Sequence, residues 1–263
     1  FTSMNDDKQI RIVSVIPAHL NSIRFPRKIL YPFFNLSMIE HVRRRALLCK
    51  KISKVLVATC DKKIADEVNK YGGNVIMTSD KHLTGTTRVA EAIEKIDCTH
   101  AIIIQGDEPL LLPKQLDLIV NHLIGHPDID AWNATGPINK SHELNKHSYV
   151  KCAVTEHHDI LYCFRKSPSY GDINQQKSYI RKILGIIAFR KSVLIKLANL
   201  KPTTIEKVEF IEQMRIIENR YNFRSIPFDQ STPSVNEPDD IRVIIETLKK
   251  DNQQAALLKK IIN

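Results

Sequence analysis

The sequence has few of the features that mark secreted, membrane or metal-cluster proteins. Its 263 residues include five cysteines, an odd number with no Cys-x-x-Cys pair, so neither a disulfide framework nor a zinc-ribbon spacing is present. No apolar run approaches the roughly 18 residues of a membrane span, and no charged segment followed by an apolar one opens the chain. We therefore expect a cytoplasmic protein in a reducing compartment, without membrane insertion.

Segregated charge is also absent. The chain has 39 basic and 29 acidic residues, a formal net charge of +10, but residues of the two signs are interspersed along the sequence. The densest basic cluster, residues 43–51, is typical of a solvated helix face. An anionic small substrate explains the basic excess, and no nucleic-acid partner is predicted.

The apolar pattern predicts an α/β fold. Runs rich in β-branched residues at 10–16, 54–59, 74–78 and 101–104 alternate with helical patterns, as in a doubly wound, mostly parallel sheet. Between Asn133 and Pro202 the segments become shorter and alternate in polarity, which indicates antiparallel strands. Helices are expected at 38–51, 62–71, 89–95, 113–125 and 206–220, and from about 241 onward.

One acidic residue follows the most apolar strand. Asp107 comes directly after Ile102-Ile103-Ile104-Gln105-Gly106, where an open α/β sheet binds ligands, and its carboxylate suits a divalent cation. A polar strand cap before a proline turn is the alternative. Asp61 follows the strand at 54–59 and faces the same edge if the strands are parallel, although it also stands where a helix N-cap belongs.

The loop after the first strand carries cations but no glycine. Residues 17–28 contain two prolines together with Arg24 and Lys28, a set able to hold a triphosphate. Without glycine the loop is neither a P-loop nor a dinucleotide fingerprint, and its cations have a simpler role as solvated loop residues. A second candidate, Thr84-Gly85-Thr86-Thr87-Arg88, offers hydroxyls and a cation at a helix start, where an N-cap cluster is the alternative.

The predicted helix 206–220 places carboxylates at intervals of three. Glu206, Glu209 and Glu212 form a row along one side, and Gln213 follows. Such a row is normally a solvated face.

Nine segments in order resemble one known family. They are IPAHLNSIRFPRK, VLVATCD, GGNVIMTS with TGTTRVAEAIEK, IIIQGDEP, YVKCAV, LYCFRKSP, LGIIAFR, TIEKVEFIEQMRIIEN and SVNEPDDI. Together they are similar to the cytidylyltransferases that make CMP-activated sugar acids, most closely the 3-deoxy-manno-octulosonate (Kdo) cytidylyltransferases. The resemblance runs from about Arg11 to about Ile244.

The resemblance implies a nucleotide-diphospho-sugar transferase-like, Rossmann-like α/β domain (residues 4–135 and 203–263) with an inserted antiparallel dimerisation and substrate subdomain (136–202). It implies a homodimer that couples CTP to an anionic sugar acid, releasing pyrophosphate with Mg²⁺ as cofactor, for lipopolysaccharide or surface-glycan synthesis. The implied catalytic residues are Arg24, Lys28 and Asp107, and the implied metal ligands are Asp107 and Asn236. The implied nucleotide-binding residues are Pro17, Ala18, Arg24, Lys28, Thr59, Asp61, Gly85, Arg88 and Gln105. The implied substrate-binding residues are Gln105, Arg165, Glu209, Glu212 and Gln213.

The chain departs from the family pattern at several positions. His19 replaces an arginine, Thr87 an acidic residue, and Asn236 the second metal aspartate. Ile183 and Ile187 replace a histidine and a tyrosine, which removes hydrogen-bond partners for a polyhydroxy acid. Two alternatives therefore remain open: the same chemistry on another acid, such as a modified ulosonic acid or a phosphonate, or a degenerate paralogue that only binds nucleotide or a partner.

Overall fold

The computed structural model of the chain describes residues 9–262. The first predicted domain begins at residue 4 and ends at 263, so its residues 4–8 and 263 lie outside the described part. Within that part, no helix combines the length and the apolar character needed to cross a bilayer.

Eleven strands and ten helices follow one another in the described residues. The strands are β1 (Ile12–Ala18), β2 (Pro32–Phe33), β3 (Leu36–Ser37), β4 (Lys54–Thr59), β5 (Asn74–Met77), β6 (His100–Ile104), β7 (Ala131–Gly136), β8 (Lys151–Val154), β9 (Ile160–Phe164), β10 (Ile180–Arg190) and β11 (Phe223–Pro227). The helices are α1 (Met38–Ala46), α2 (Lys62–Lys70), α3 (Gly85–Ile93), α4 (Pro113–Gly125), α5 (Ile173–Gln176), α6 (Lys191–Ala198), α7 (Thr204–Glu209), α8 (Met214–Glu218), α9 (Asp240–Lys250) and α10 (Asn252–Ile262). Two 3₁₀ turns lie at Lys28–Leu30 and Ser141–Leu144.

A central sheet organises these elements in the order β11-β7-β10-β6-β1-β4-β5. The four strands β6, β1, β4 and β5 run parallel, and β11 runs parallel to β7. All seven residues of β1 and all five of β6 are buried, since helices cover both faces of the sheet. The predicted mostly parallel, doubly wound sheet is confirmed.

The predicted antiparallel segments are confirmed as β8, β9 and β10. The eleven-residue strand β10 pairs antiparallel with β6 over its second half, with β8 over its first residues, and with β7 in both parts. β9 adds to β8 to form a hairpin beside the main sheet. The segment predicted as an insert thus supplies a strand to the middle of the central sheet, and the two-domain division stays a prediction.

Three predicted helices have different bounds. The first ends at Ala46 instead of residue 51, because residues 47–51 form turns that lead into β4. The third begins at Gly85 instead of 89, where the Thr84 side chain accepts a hydrogen bond from the Thr87 N–H as an N-cap. The closing helix is two helices, α9 and α10, separated at Asp251.

The predicted continuous helix over 206–220 is wrong. Phe210 adopts the left-handed conformation, with φ of 54°, and ends α7, while α8 begins only at residue 214. The expected carboxylate row therefore does not exist. Glu206 instead forms a buried bidentate ion pair with Arg215, and Glu212 lies in the connection between the two helices.

Candidate active site at the carboxyl ends of the strands

Asp107 lies where β6 leaves the sheet, and it contacts two distant parts of the chain. Its Oδ2 accepts a hydrogen bond of 2.8 Å from Lys28 Nζ, and its backbone carbonyl accepts one of 3.0 Å from the Val235 N–H. Lys28 Nζ also donates to the Val235 carbonyl at 2.7 Å. The Lys28 and Asp107 side chains are 15% and 24% exposed, so this ion pair is mostly buried but still reached by solvent.

Arg24 reaches the same segment from the solvent side. Its Nη2 donates to Asn236 Oδ1 at 3.4 Å, and its Nη1 lies 4.0 Å from Glu237 Oε1. The Asp240 carboxylate accepts the backbone N–H groups of residues 236 and 237, and Ser234 Oγ accepts from Asn236 Nδ2. The first loop and the segment 234–240 thereby meet above Asp107, with two cations between them.

Asp61 fixes the beginning of the first loop. It stands at the N-cap position of α2, but its carboxylate makes no capping bond and instead accepts the Leu20 N–H at 2.8 Å. Thr59, buried at the end of β4, accepts the Asp61 N–H through its hydroxyl at 3.0 Å. His19, which precedes Leu20, is exposed. Asp61 therefore positions the loop that carries Arg24.

Close backbone approach explains a glycine at the start of α3. A Cβ on Gly85 would lie 2.9 Å from the Pro17 ring and 3.7 Å from Gln105 Nε2. Pro17 and Ala18 are buried at the end of β1, and Gln105 is half-buried at the end of β6. These four predicted nucleotide-binding residues do come together at the sheet edge.

Arg88 is bonded to the segment that follows β5. Its side chain is buried, and Nη1 donates to Thr78 Oγ1 at 2.6 Å and to the Ser79 carbonyl at 3.1 Å. These bonds fasten the segment after β5 to α3. The guanidinium is thus engaged within the protein, while its nucleotide-binding role stays a prediction.

The connection between α7 and α8 brings a carboxylate to the start of α3. Burial raises the pKa of Glu212, and hydrogen bonds from the Thr86 and Thr84 hydroxyls act in the opposite direction. The next residue, Gln213, donates from Nε2 to Asn133 Oδ1 on β7 at 3.3 Å. Glu212 and Gln213 therefore lie between β7 and the Thr-rich start of α3.

Arg165, the predicted sugar-acid arginine, is held by backbone carbonyls. It donates to the carbonyls of Glu209 at 2.9 Å, His147 at 3.0 Å and Phe210 at 2.7 Å. The fully buried Lys151 donates in turn to the Arg165 carbonyl. Glu209 is half-buried at the end of α7, and its carbonyl fixes Arg165. The structure thus gives Arg165 a role in fastening the β8–β9 hairpin to the end of α7.

Two features of the site were missed by sequence reasoning. Glu108 packs against Gly185 of β10 so closely that a Cβ there would lie 2.3 Å from Glu108 Oε1. Burial and then the Asp107 carboxylate raise the pKa of Glu108 well above its usual value. The other feature is the hydrogen bond from Lys28 to the Val235 carbonyl. Every residue has a backbone carbonyl, so the residue type gives no sign of this contact. The sequence shows that Glu108 follows Asp107, but it does not show that Glu108 packs against Gly185 of β10.

Ile183 and Ile187 lie on either side of an irregularity in β10. The register on β7 shifts between them, and both side chains are half-buried against the core under one face of the sheet. The Gly185 carbonyl between them accepts the Gln105 N–H at 3.0 Å. The irregular part of β10 is therefore joined directly to the motif that carries Asp107.

The oxygen atoms near Asp107 fit Mg²⁺ when phosphate completes the set. Across residues 9–262, no three His, Cys, Asp or Glu side chains gather into a metal site. Protein-bound Mg²⁺ usually has one or two carboxylates, with substrate phosphates and water as the other ligands. The Asp107 carboxylate and the Asn236 amide oxygen, each bonded to one of the loop cations, are the protein oxygens that would complete such a set.

The fold and this edge of the sheet define a nucleotide-binding α/β protein. The family model described as cytidylyltransferase matches residues 13–226, and the chain belongs to that family of nucleotidyltransferases. It is 31% identical over 252 residues to the 3-deoxy-manno-octulosonate cytidylyltransferase of Geobacter metallireducens, covering 92% of this chain and 99% of the relative. Identity to the same enzyme of Chlamydia abortus is 32% over 238 residues, covering 90% and 93%.

Solved structures agree with this assignment. A structure of CMP:2-keto-3-deoxy-manno-octonic acid synthetase complexed with CTP superposes with a TM-score of 0.86 at 30% identity, covering 92% of this chain and 99% of the other. A cytidylyltransferase from Leptospira borgpetersenii shares the fold, with a TM-score of 0.64 at 18% identity and coverage of 96% and 94%.

Proposed function

We propose that the protein couples CTP to 3-deoxy-manno-octulosonate, giving the CMP-sugar acid and pyrophosphate for bacterial lipopolysaccharide or surface-glycan synthesis. The observation that carries the proposal is the contact of Lys28 Nζ with both Asp107 and the Val235 carbonyl. It joins the basic loop, the acidic strand end and the segment of Asn236 at one point, in a chain that aligns with Kdo cytidylyltransferases over nearly their whole length.

The chemistry is transfer of the cytidylyl group to an anomeric hydroxyl, which attacks the α-phosphorus while pyrophosphate leaves. Both substrates are anions, so positioning and neutralisation of charge are the main tasks. Lys28 and the exposed Arg24 are the cations in reach of the triphosphate, and Asp107 is the acidic partner. Mg²⁺, held by Asp107 and Asn236 with phosphate oxygens, would supply Lewis-acid stabilisation of the developing charge.

The remaining site assignments are part of the same proposal. Thr59, Asp61, Gly85 and Gln105 surround the ends of β1, β4 and β6, and we assign them to the nucleotide side together with Pro17, Ala18 and Arg88. We assign Gln105, Arg165, Glu209, Glu212 and Gln213 to the acid side. Arg165 uses three of its five N–H donors and Arg88 two of its five for bonds within the free protein, so each keeps donors for a substrate.

We further propose that the enzyme works as a homodimer in the cytoplasm, without a nucleic-acid partner. All five cysteines are free thiols, as expected of a reducing compartment. The β8–β9 hairpin presents Leu161 at 58% exposure, and Phe210, whose carbonyl binds Arg165 just after β9, is 82% exposed. A second copy of the chain is the proposed partner of this apolar surface.

The alternatives are less well supported. The half-buried Ile183 and Ile187 motivate an acid with fewer hydroxyl groups, but the named relatives that align along the chain favour Kdo. His19 and Asn236 motivate a degenerate paralogue, but the Lys28 and Asp107 contact retains both charged groups of the site.

A panel of acids tests the proposal. Pyrophosphate release from CTP and Mg²⁺ is measured with Kdo, other eight- and nine-carbon ulosonic acids and a phosphonate. We expect the highest kcat/KM with Kdo, and loss of turnover in Asp107→Ala. The matched control is Asp66→Ala, which removes an equal charge from an exposed surface pair with Lys62 and leaves activity unchanged. If only another acid is turned over, that acid replaces Kdo as the proposed acceptor. If no acid is turned over, the result supports a degenerate paralogue without activity.

A further inference from the structure

Two cysteines face each other across the β8–β9 hairpin. Cys152 of β8 is the direct partner of Cys163 in the antiparallel register, and both side chains are fully buried. The other three cysteines lie outside the strands, at Cys49, Cys60 and Cys98. Because side chains opposite each other in a ladder lie on the same face of the sheet, the two thiols point to the same part of the core.

The backbone hydrogen bonds identify which kind of pair this is. The Cys163 N–H donates to Met214 Sδ at 3.4 Å, away from β8. On the other strand, the Val154 N–H donates to the Tyr179 carbonyl, and the Val150 carbonyl accepts the Ile183 N–H, so both residues direct their backbone groups toward β10. Backbone groups alternate in direction along a strand, so Cys152, two residues from each, also directs its own toward β10. Cys152 and Cys163 therefore form a non-hydrogen-bonded pair.

Non-hydrogen-bonded pairs have the closer spacing of the two kinds. Their Cα atoms lie about 4.5 Å apart, within the roughly 4.4–6.8 Å range that a disulfide spans. A bond between these thiols thus needs side-chain rotation and no slip of the strands.

We propose that Cys152 and Cys163 are a dithiol site that a peroxide closes to a reversible disulfide, locking β8 to β9. One thiolate attacks a peroxide oxygen, so that an S–O bond forms, the O–O bond breaks, and hydroxide leaves and takes up the thiol proton as water. The second thiol attacks the sulfenic sulfur, so that the S–S bond forms, the S–O bond breaks and a second water leaves. Two thiols are oxidised and one peroxide is reduced to two waters.

The lock acts on a strand at the border of the sheet. Within residues 9–262, β9 forms a ladder with β8 alone, and Asp159 just before it bridges to Arg224 of β11. Opening of the β9 ladder is therefore the proposed route by which peroxide reaches the buried sulfurs. Burial raises the pKa of Cys152 to about 12, so the thiolate is scarce at neutral pH and the closure is slow and accelerates as pH rises. The crosslink lies next to Lys151 and two residues before Arg165, the residues that fasten this end of the hairpin.

Peptide mapping tests the site directly, independently of the proposed function. Trypsin releases residues 152–165 as one peptide that contains both thiols and no other cysteine. After peroxide treatment of the folded protein, we expect this peptide to resist alkylation and to be about 2 Da lighter than the dithiol form, with dithiothreitol restoring it. Buried Cys49 and Cys98 are the controls, and they should remain alkylatable after unfolding.

Variants and exchange complete the test. Cys152→Ser and Cys163→Ser each leave one thiol, and neither should yield the lighter peptide. In the oxidised wild type, amide hydrogen exchange in β8 and β9 should slow by about tenfold or more. The site is overturned if the wild-type peptide carries two alkyl groups or independent sulfinic acids after peroxide. The lock is overturned if the disulfide forms and exchange in the hairpin is unchanged.

Discussion

Replacement of Lys28 by methionine tests the point where the basic loop meets the acidic strand end. Lys28 Nζ makes two hydrogen bonds, at 2.8 Å to Asp107 and 2.7 Å to the Val235 carbonyl, and its side chain is 15% exposed. Methionine keeps most of the apolar stem and removes the charge and both bonds. The variant therefore separates the role of the cation from that of packing.

The substitution should lower both the stability of the protein and its rate of turnover. A hydrogen bond to a charged group contributes about 1.5–3 kcal/mol, and the variant loses two of them. Water can replace the bond to Asp107, whose side chain is 24% exposed, so the free energy of unfolding should fall by about 2 kcal/mol. Loss of one cation that stabilises transition-state charge typically costs about 10²–10³-fold in kcat. We expect Lys28→Met to fold, to lose about 2 kcal/mol in urea unfolding, and to lose about 10²-fold in CTP-dependent pyrophosphate release.

The control for Lys28→Met is Lys62→Met. Lys62 is paired with Asp66 on the surface, where its side chain is 83% exposed, so its removal should change stability by less than about 0.5 kcal/mol and leave turnover unchanged. Turnover of Lys28→Met within about threefold of the wild type, or an equal loss of activity in both variants, would refute a role for the Lys28 cation in the reaction.

Three further predictions concern the metal, the packing of the site and pH. Asn236→Asp adds a second carboxylate, so the Mg²⁺ concentration for half-maximal pyrophosphate release should fall by about tenfold, and an unchanged value would remove this residue from the metal site. Gly185→Ala places a Cβ 2.3 Å from the Glu108 carboxylate, so we expect a loss of about 1–3 kcal/mol in thermal unfolding; an unaltered Tm would contradict the packing described. Burial alone would raise the pKa of Glu143, but hydrogen bonds from Lys182 and from two backbone N–H groups lower it from 4.5 to about 2. The Glu143–Lys182 pair therefore stabilises the fold above pH 4.5, and this contribution is lost as pH falls toward 2. Denaturant unfolding of Lys182→Met should show a deficit at pH 7 that shrinks at pH 3, whereas an equal deficit at both values would count against the linkage.

The sheet and its functional edge were predictable because local chemistry determines them. The β-branched runs of β1, β4 and β6 are buried on both faces. An acidic residue that follows such a strand therefore lies where the strands end, at the carboxyl-terminal side of the sheet. The position of Asp107 follows from that alone. Its contacts with Lys28 and Val235 depend on segments 79 and about 130 residues away in sequence, and local patterns do not encode such contacts.

The helix break at Phe210 shows the opposite case. Residues 206–220 have the local composition of one helix, yet the Glu206–Arg215 ion pair folds α8 back on α7, and Arg165 binds the Phe210 carbonyl that the break exposes. Tertiary bonds outweigh helix propensity here, since propensities differ by only about 0.7 kcal/mol among ordinary residues. Bonds to the segment after β5, nine and ten residues away, likewise engage Arg88, which composition alone presents as a free cation.

The most direct test of the account is a crystal structure with CTP and Mn²⁺ in place of Mg²⁺, because Mn²⁺ is visible by anomalous scattering. We expect an anomalous peak within roughly 2.0–2.4 Å of an Asp107 carboxylate oxygen and of a phosphate oxygen, with Lys28 Nζ moved from Asp107 to the triphosphate. A nucleotide bound away from the ends of β1, β4 and β6, or a peak that leaves the Lys28–Asp107 bond intact, would contradict it.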